Sequence, residues 1–574
     1  MSGKGHILPA LLMCACLSLR AGSAPEPADL ILIHGRVYTV DSKHPWAEAI
    51  AVRADKIVAV GTNQEIVRYR TPAMKVIDAK GHLVLPGFTD CHVHFMDGST
   101  SLGQVQLDDR KTLPEVLERV KAYAAVHPND AWILGRGWSY PLFPPDGLPN
   151  KKYLDEIVPD RPVYLEGFDG HTWWANTKAL ALAGINKQTP DPPGGSFVRD
   201  PDTGEPTGAI KEDSADAVVR RAIPESSREA KLKALQAGLH LANQLGLTRV
   251  HVLGGVNAGR DDLQNVDLYE ELRQEGQLTV RFYLAYRFDP PEVTGPQLQA
   301  IVQARDRYHD DWIAAGSAKF FLDGVIETHT AAMLAPYTDD PVLSGELLWD
   351  PEKYKRFITE LDARGIQVFT HAIGDRAIRV ALDAYEEAAQ QNGSKDLRHR
   401  IEHIEDVSAA DIPRFGKLSV IASMQPLHAY PDDDTLKSWA PNVGPERAQR
   451  GWAWHSIAAA GGVLAFGSDW PVVTLSPWPG IQTAVTRQTA EGEPYGGWIP
   501  SERVSLAEAI EGYTIHAAFA GHREKSEGSL EPGKLADLIV VSQDLFRIEP
   551  SKIDQTKVLL TMAGGRVVWR AESF

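Results

Sequence analysis

The sequence predicts an α/β protein: a (β/α)8 barrel of the TIM type, a subdomain inserted after its first strand, and a small composite β-sandwich made from both chain ends. Three observations carry this. Eight short apolar segments recur along the middle of the chain, separated mostly by amphipathic helical stretches. Short β-rich runs lie at residues 30–60 and again beyond residue 538, each group too small to build a core alone. A surplus at 95–226 carries helices and strands of its own.

The elements follow in chain order. Residues 1–23 have the layout of a secretory signal: Lys4 and His6, an apolar run from 7 to 19, then the small residues Ala21, Gly22, Ser23 and Ala24. That reading implies export to the periplasm or beyond, and a cytoplasmic protein otherwise. Of the three cysteines, Cys14 and Cys16 fall in this leader, which leaves Cys91 and no internal disulfide. The sandwich is assigned to 28–86 and 525–574, with Gly564-Gly565 as a hairpin signal between its last two strands. The barrel is assigned to 87–524, with strands at 87–94, 247–253, 278–286, 318–322, 366–371, 400–404, 420–425 and 463–468. Asp350-Pro351 opens a helix that Gly365 closes, Ser505 with Glu508 forms a capping box, and Thr112 caps a helix in the insertion. The insertion, 95–226, is placed over the barrel mouth.

Composition narrows the function. The 574 residues are 43% hydrophobic and 24% charged, an ordinary globular balance, and no run beyond the leader reaches membrane-spanning length. A net charge of −17 without a basic run repels a phosphate backbone, which argues against nucleic acid as a partner. Association into a homo-oligomer is compatible with the sequence.

The chemistry concentrates at strand ends. His92 and His94 are two apart on the first strand, so both imidazoles share a face and form a chelating pair for a divalent metal. Lys319 lies on the fourth strand, His371 ends the fifth, His403 is near the end of the sixth, and Asp469 follows the eighth. In a barrel of this kind the C-terminal strand ends carry the reactive groups, and an ordered set of four histidines, a lysine and an aspartate there points to a metal site. Cys91 alternates to the opposite face and reads as a packed thiol, and His251 as a hydrogen-bonded barrel residue.

The motifs Ile133-Leu134-Gly135-Arg136-Gly137-Trp138, Asp169-Gly170-His171, Lys319 with Asp323-Gly324, His371-Ala372-Ile373-Gly374-Asp375 and Arg400-Ile401-Glu402-His403 resemble those of the amidohydrolase superfamily. Their pattern is similar to its YtcJ-like branch, which includes N-substituted formamide deformylases, and the likeness spans nearly the whole mature chain. The resemblance implies one or two divalent metals, commonly zinc, held by His92, His94, a carboxylated Lys319, His371, His403 and Asp469. Val325-Ile326-Glu327-Thr328-His329 departs from the small-residue run expected after Asp323-Gly324.

These readings imply a metal-dependent hydrolase of a carbon–nitrogen bond other than a peptide bond, acting on a small neutral amide or formamide. A metal-activated water attacks the carbonyl, and Asp469 takes its proton and passes it to the departing nitrogen. His171 is a second catalytic candidate, as a donor to the carbonyl oxygen. Trp138 and Trp174 are candidate substrate contacts from an aromatic-rich lid. Three alternatives remain: ester hydrolysis, isomerisation or dehydration on the same scaffold, and a non-catalytic exported binding protein. Retention of Asp469 beside the ligands favours catalysis.

Overall fold

The computed structural model describes Gly3 and residues 27–72, 74–254 and 262–574, so the segment read from the sequence as a signal lies, Gly3 apart, outside the described residues. Eight parallel strands neighbour one another in chain order: β1 (Phe88–Val93), β2 (Leu247–Val252), β3 (Arg281–Arg287), β4 (Ile313–Phe321), β5 (Gln367–Ala372), β6 (Arg400–His403), β7 (Ile421–Met424) and β8 (Val463–Phe466). The eight-strand reading of the sequence therefore holds.

The barrel closes between β8 and β1. Asp90 Oδ1 accepts from His92 N at 3.0 Å and Ser468 N at 2.9 Å, and Asp469 N donates to His92 O at 2.7 Å. The two backbones approach closely at Gly467, where an added Cβ would stand 2.6 Å from His92 N. Strand β4 begins at residue 313, earlier than the sequence suggests. Its register against β3 slips between Leu284 and Ala285, which pair with Ala315 and Ser317. Gly316, at φ 122°, is the extra residue of that bulge, and the small Ala-Ala-Gly-Ser run hides the strand from an apolar pattern.

Local chemistry places the helices. Asp350 accepts from Lys353 N at the start of Pro351–Ala363, and Gly365 leaves it at φ 72°. Ser505 and Glu508 form the capping box of Leu506–Gly512. Cys91 packs outside the barrel with Ile421, Ala465 and Ala517, and burial pushes its thiol up to about 12, so it is inert.

Between β1 and β2 the chain builds a six-stranded mixed sheet in the order Ser196–Arg199, Pro206–Lys211, Thr172–Ala175, Val163–Gly167, Ile133–Trp138, Val105–Gln106. Two further sheets complete the fold, one of four strands from residues 30–78 and one of six strands drawn from residues 36–86 and 538–570. In one of them Leu83–Pro86 pairs antiparallel with Leu538–Val541, and their Val84, Leu538 and Val540 share a core with Leu32, Val37 and Ile50 of the amino-terminal strands. The hairpin at Gly564-Gly565 takes φ 55° and 70°, the left-handed pair a tight two-residue turn requires. No helix of the described residues is long and apolar enough to cross a membrane.

Candidate metal centre and active site

The sequence-predicted ligands converge at the C-terminal end of the barrel. His92 Nε2 lies 3.2 Å and His94 Nε2 3.1 Å from Asp469 Oδ1, and His403 Nδ1 lies 3.8 Å from Asp469 Oδ2. The ring of His403 stands 4.9 Å from that of His92 and 4.5 Å from that of His371. Ligand atoms of His92, His403 and Asp469 all lie within 4.8 Å of one another, a spacing that one ion can bridge. Lys319 is fully buried on β4 with its Nζ 4.5 Å from the Phe321 ring centroid.

Whether these residues fit a metal is decided by what they lack. His92 Nε2, His403 Nδ1, Lys319 Nζ and Asp469 Oδ1 are sealed from solvent without a hydrogen-bond partner. Buried polar atoms are almost always paired, so a cluster of unpaired ones facing one another fits a cation bound among them. Burial holds the imidazoles of His92, His371 and His403 well below the usual histidine range, which keeps them neutral as ligands must be. Burial also drops Lys319 to about 7, with its positive neighbours Arg287 and Arg400 adding to the effect and Glu402 and Asp469 opposing it. Burial by itself would raise Asp469, but the summed attraction of His92, His94 and His428 outweighs it and holds the carboxyl below the ordinary range.

Residues that sequence reasoning did not assign hold the ligands in place. His92 Nδ1 donates to Glu402 Oε2 at 2.8 Å, and Glu402 is itself fixed by Arg400 Nε and Nη2 at 2.9 and 3.0 Å. The first contact fixes the tautomer that frees His92 Nε2. His94 Nδ1 lies 2.7 Å from Gly254 O, which does the same for the second imidazole. Asp323 accepts from the backbone N–H groups of Ala332, Ile373 and Gly374 at 2.9, 3.1 and 2.9 Å, anchoring the turn that follows His371. His251 is a buried barrel residue whose Nδ1 meets Arg400 Nη1 at 3.0 Å.

A signal for Glu402 was present, because residues two apart on a strand share a face and Arg400 and Glu402 both point into the barrel. That same alternation would turn His403 away from the site. The backbone breaks it instead: His403 has φ 74° and the β-branched Ile404 φ 56°, a left-handed pair that swings the imidazole over the mouth.

The site opens into a cavity of about 1550 Å³ lined by both the barrel loops and the insertion. His171 reaches it beside His371, ring centroids 6.2 Å apart, with Nδ1 2.9 Å from Glu212 Oε2. Trp138 and Trp174 do not reach it, which corrects their assignment as substrate contacts. Each is fully buried in the core of the insertion, with Nε1 donating to Leu165 O and Asn150 O respectively, because Ile133–Trp138 and Thr172–Ala175 turn these faces onto the subdomain's own helices. Of the aromatic cluster, Phe168 lines the cavity, along with the glycines Gly137 and Gly170.

A parallel barrel with neutral imidazoles, a lysine and an ionised aspartate gathered at its C-terminal end defines a metal-dependent hydrolase scaffold. Residues 75–569 match the model of the amidohydrolase family, and the chain belongs to that family. It is 35% identical over 94% of its length to the protein LONG AFTER FAR-RED 3 of Arabidopsis thaliana, covering 92% of that protein. It is 27% identical over 94% of its length to an N-substituted formamide deformylase of Arthrobacter pascens, covering 97% of it. Among solved structures it resembles an uncharacterised metal-dependent hydrolase of Pyrococcus horikoshii, with TM-score 0.69, 25% identity, 91% of this chain and 99% of that one covered.

Proposed function

We propose that this amidohydrolase cleaves a carbon–nitrogen bond other than a peptide bond, of amide or formamide type, in a small molecule. The observation that carries the reading is the set of unpaired buried atoms on His92, His403, Lys319 and Asp469, which converge at one end of a cavity large enough for such a substrate. The named activity of the formamide deformylase relative supports the choice of bond. His92, His94, His371, His403, Asp469 and a carboxylated Lys319 would hold one or two ions, and zinc suits this mixture of imidazole nitrogen and carboxylate oxygen. Bound there, the metal supplies a water acidic enough to attack a carbonyl near neutral pH.

The chain's own residues do the rest. Glu402 and Gly254 O hold the two imidazoles of the β1 pair with their metal-facing nitrogens free. Lys319 is neutral enough in its buried pocket to add carbon dioxide, which turns it into an anionic oxygen donor. Asp469, kept ionised by the imidazoles around it, accepts the water's proton and returns it to the departing nitrogen. His171, beside His371, donates to the carbonyl oxygen as negative charge develops there. The leader assigned at 1–23 exports the mature enzyme.

Zinc-loaded protein incubated with a panel of N-substituted formamides and amides should release amine together with formate or acid. Chelation should stop release and zinc restore it. Cleavage of esters alone, or no turnover across the panel by fully metallated protein, would overturn the reading.

A further inference from the structure

Strand β7 is followed by a 3₁₀ turn, Pro426–Ala429, that brings a histidine outside the ligand set to the metal centre. Gln425 leads into the turn: its O accepts from His428 N at 3.0 Å, and its Nε2 stands 3.3 Å from His92 Nδ1. Residues three apart eclipse in such a turn, so His428 comes round to the side of Gln425, on the cavity wall. Its ring lies parallel to that of His403 with centroids 5.9 Å apart.

The His428 side chain is nine-tenths buried, and its Nε2 is sealed from solvent without a hydrogen-bond partner. Nε2 faces Asp469 Oδ2 across 3.8 Å, too far for a hydrogen bond, while Nδ1 faces Glu405 Oε1 at 3.9 Å on the other side. Nor does His428 complete a metal site: among the described residues the group tight enough to hold an ion is His92, His403 and Asp469. A buried nitrogen without a partner, beside the carboxylate that carries the proton, marks the place of a substrate atom.

The two oxygens of Asp469 say which atom. Oδ1 lies 3.2 and 3.1 Å from Nε2 of His92 and His94, among the ligands, and Oδ2 turns toward His428. A group about 3 Å from Oδ2 can also stand about 3 Å from His428 Nε2. When a C–N bond breaks, its electron pair passes to nitrogen, and Asp469 delivers its proton to that pair. The lone pair is then taken, and what the nitrogen of a mono-N-substituted amide still offers is its N–H. His428 Nε2 is the acceptor in reach. Its own proton sits on Nδ1, on the side of Glu405, whose Oε2 is tied to Trp439 Nε1 at 2.8 Å.

We propose that His428 is a catalytic residue whose Nε2 accepts the N–H of the departing nitrogen and so turns that nitrogen's developing lone pair toward Asp469 Oδ2. No proton passes to His428: the C–N pair and the Asp469 proton make the new N–H bond, and Asp469 returns to carboxylate. The inference rests on the amide-hydrolase reading and deepens it, because the substrate becomes an amide that carries at least one N–H.

Zinc-loaded wild type, His428→Ala and His428→Gln are compared on N-butylformamide and N-butyl-N-methylformamide, with bound metal measured in each. Wild type should favour the N–H compound at least tenfold in kcat/KM. His428→Ala should keep its metal, lose at least tenfold on the N–H compound and stay within threefold of wild type on the N-methyl compound. His428→Gln, which supplies an amide oxygen as acceptor, should restore part of the preference. Equal losses on both compounds, a gain on the N-methyl compound without loss on the other, a wild-type preference below tenfold, or metal loss in both variants overturns the proposal and leaves the hydrolase reading standing. Should His428→Ala fail to fold, His428→Leu, which fills most of the same space, carries the same comparison. If neither compound is turned over, calorimetric binding of the same pair decides. An N–H preference of at least threefold that His428→Ala abolishes keeps the contact and sinks the hydrolase reading, and equal binding overturns both.

Discussion

The two ends of the barrel treat buried charge in opposite ways. At the N-terminal end Arg249 on β2 meets Glu527 at 2.9 Å, and Arg281 on β3 grips Asp537 with Nε at 2.9 Å and Nη2 at 3.2 Å. Asp537 Oδ1 also takes Gly564 N at 2.6 Å, so the pair ties the barrel floor to the returning carboxy-terminal strands. At the C-terminal end His92 Nε2, His403 Nδ1, Lys319 Nζ and Asp469 Oδ1 are as deeply buried and have no hydrogen-bond partner. A buried charge that is paired serves the fold; one left unpaired costs stability and persists where a ligand completes it. The contrast teaches which buried groups to read as architecture and which as function.

The largest expected effect comes from breaking the upper end. His92→Ala should remove bound metal and activity together while the circular dichroism of the fold persists, because the His92 imidazole meets Glu402, Gln425 and Asp469 within the site. Retained metal and full turnover would erase the contrast. Asp469→Asn keeps the shape and removes basicity, so kcat should fall by about two to four decades with at least one metal still bound. Near-normal kcat would refute the proton-acceptor role.

At the lower end the expected change is in stability. Asp537→Ala leaves the buried Arg281 without its carboxylate partner and should lower unfolding stability by about 3–5 kcal/mol, with metal content per folded molecule unchanged. Metal loss in folded Asp537→Ala would show that the two ends are coupled.

Much of this contrast was legible in the sequence, and its limits are physical. The eight strands and the ordered ligands were visible because apolar runs, strand alternation and turn residues are local properties, as at Asp350-Pro351 or His92 with His94. The bulge at Gly316 was hidden because small residues carry no hydrophobic signal, so β4 reads short. Trp138 and Trp174 were misplaced because composition reports aromatic density and not which way a strand faces; their indoles face Leu165 O and Asn150 O. Glu402 escaped notice because its role depends on a chain segment far away in sequence, His92 and Glu402 lying 310 residues apart.

The effect that is smallest per pH unit is a pH dependence at the upper end. Folded Lys319 titrates at about 7 rather than near 10.5, so between those values the unfolded chain holds a proton that the native chain has lost. Stability of the metal-stripped protein should therefore rise with pH across that window, by at most about 1.4 kcal/mol per unit from this group. Urea unfolding of wild type and Lys319→Met checks the sign: the substitution should flatten the rise, and an unchanged slope would mean that Lys319 is charged in the fold.

The account's central claim, that the unpaired atoms at the C-terminal end are the first coordination sphere of a divalent metal, is tested most directly by anomalous diffraction at the zinc edge from crystals of the zinc-loaded protein. It predicts a peak at bonding distance, about 2.0–2.1 Å, from the freed imidazole nitrogens of the β1 histidines, with Asp469 beside it. A map of the metallated, active protein whose peaks all lie away from His92, His403 and Asp469 would contradict it.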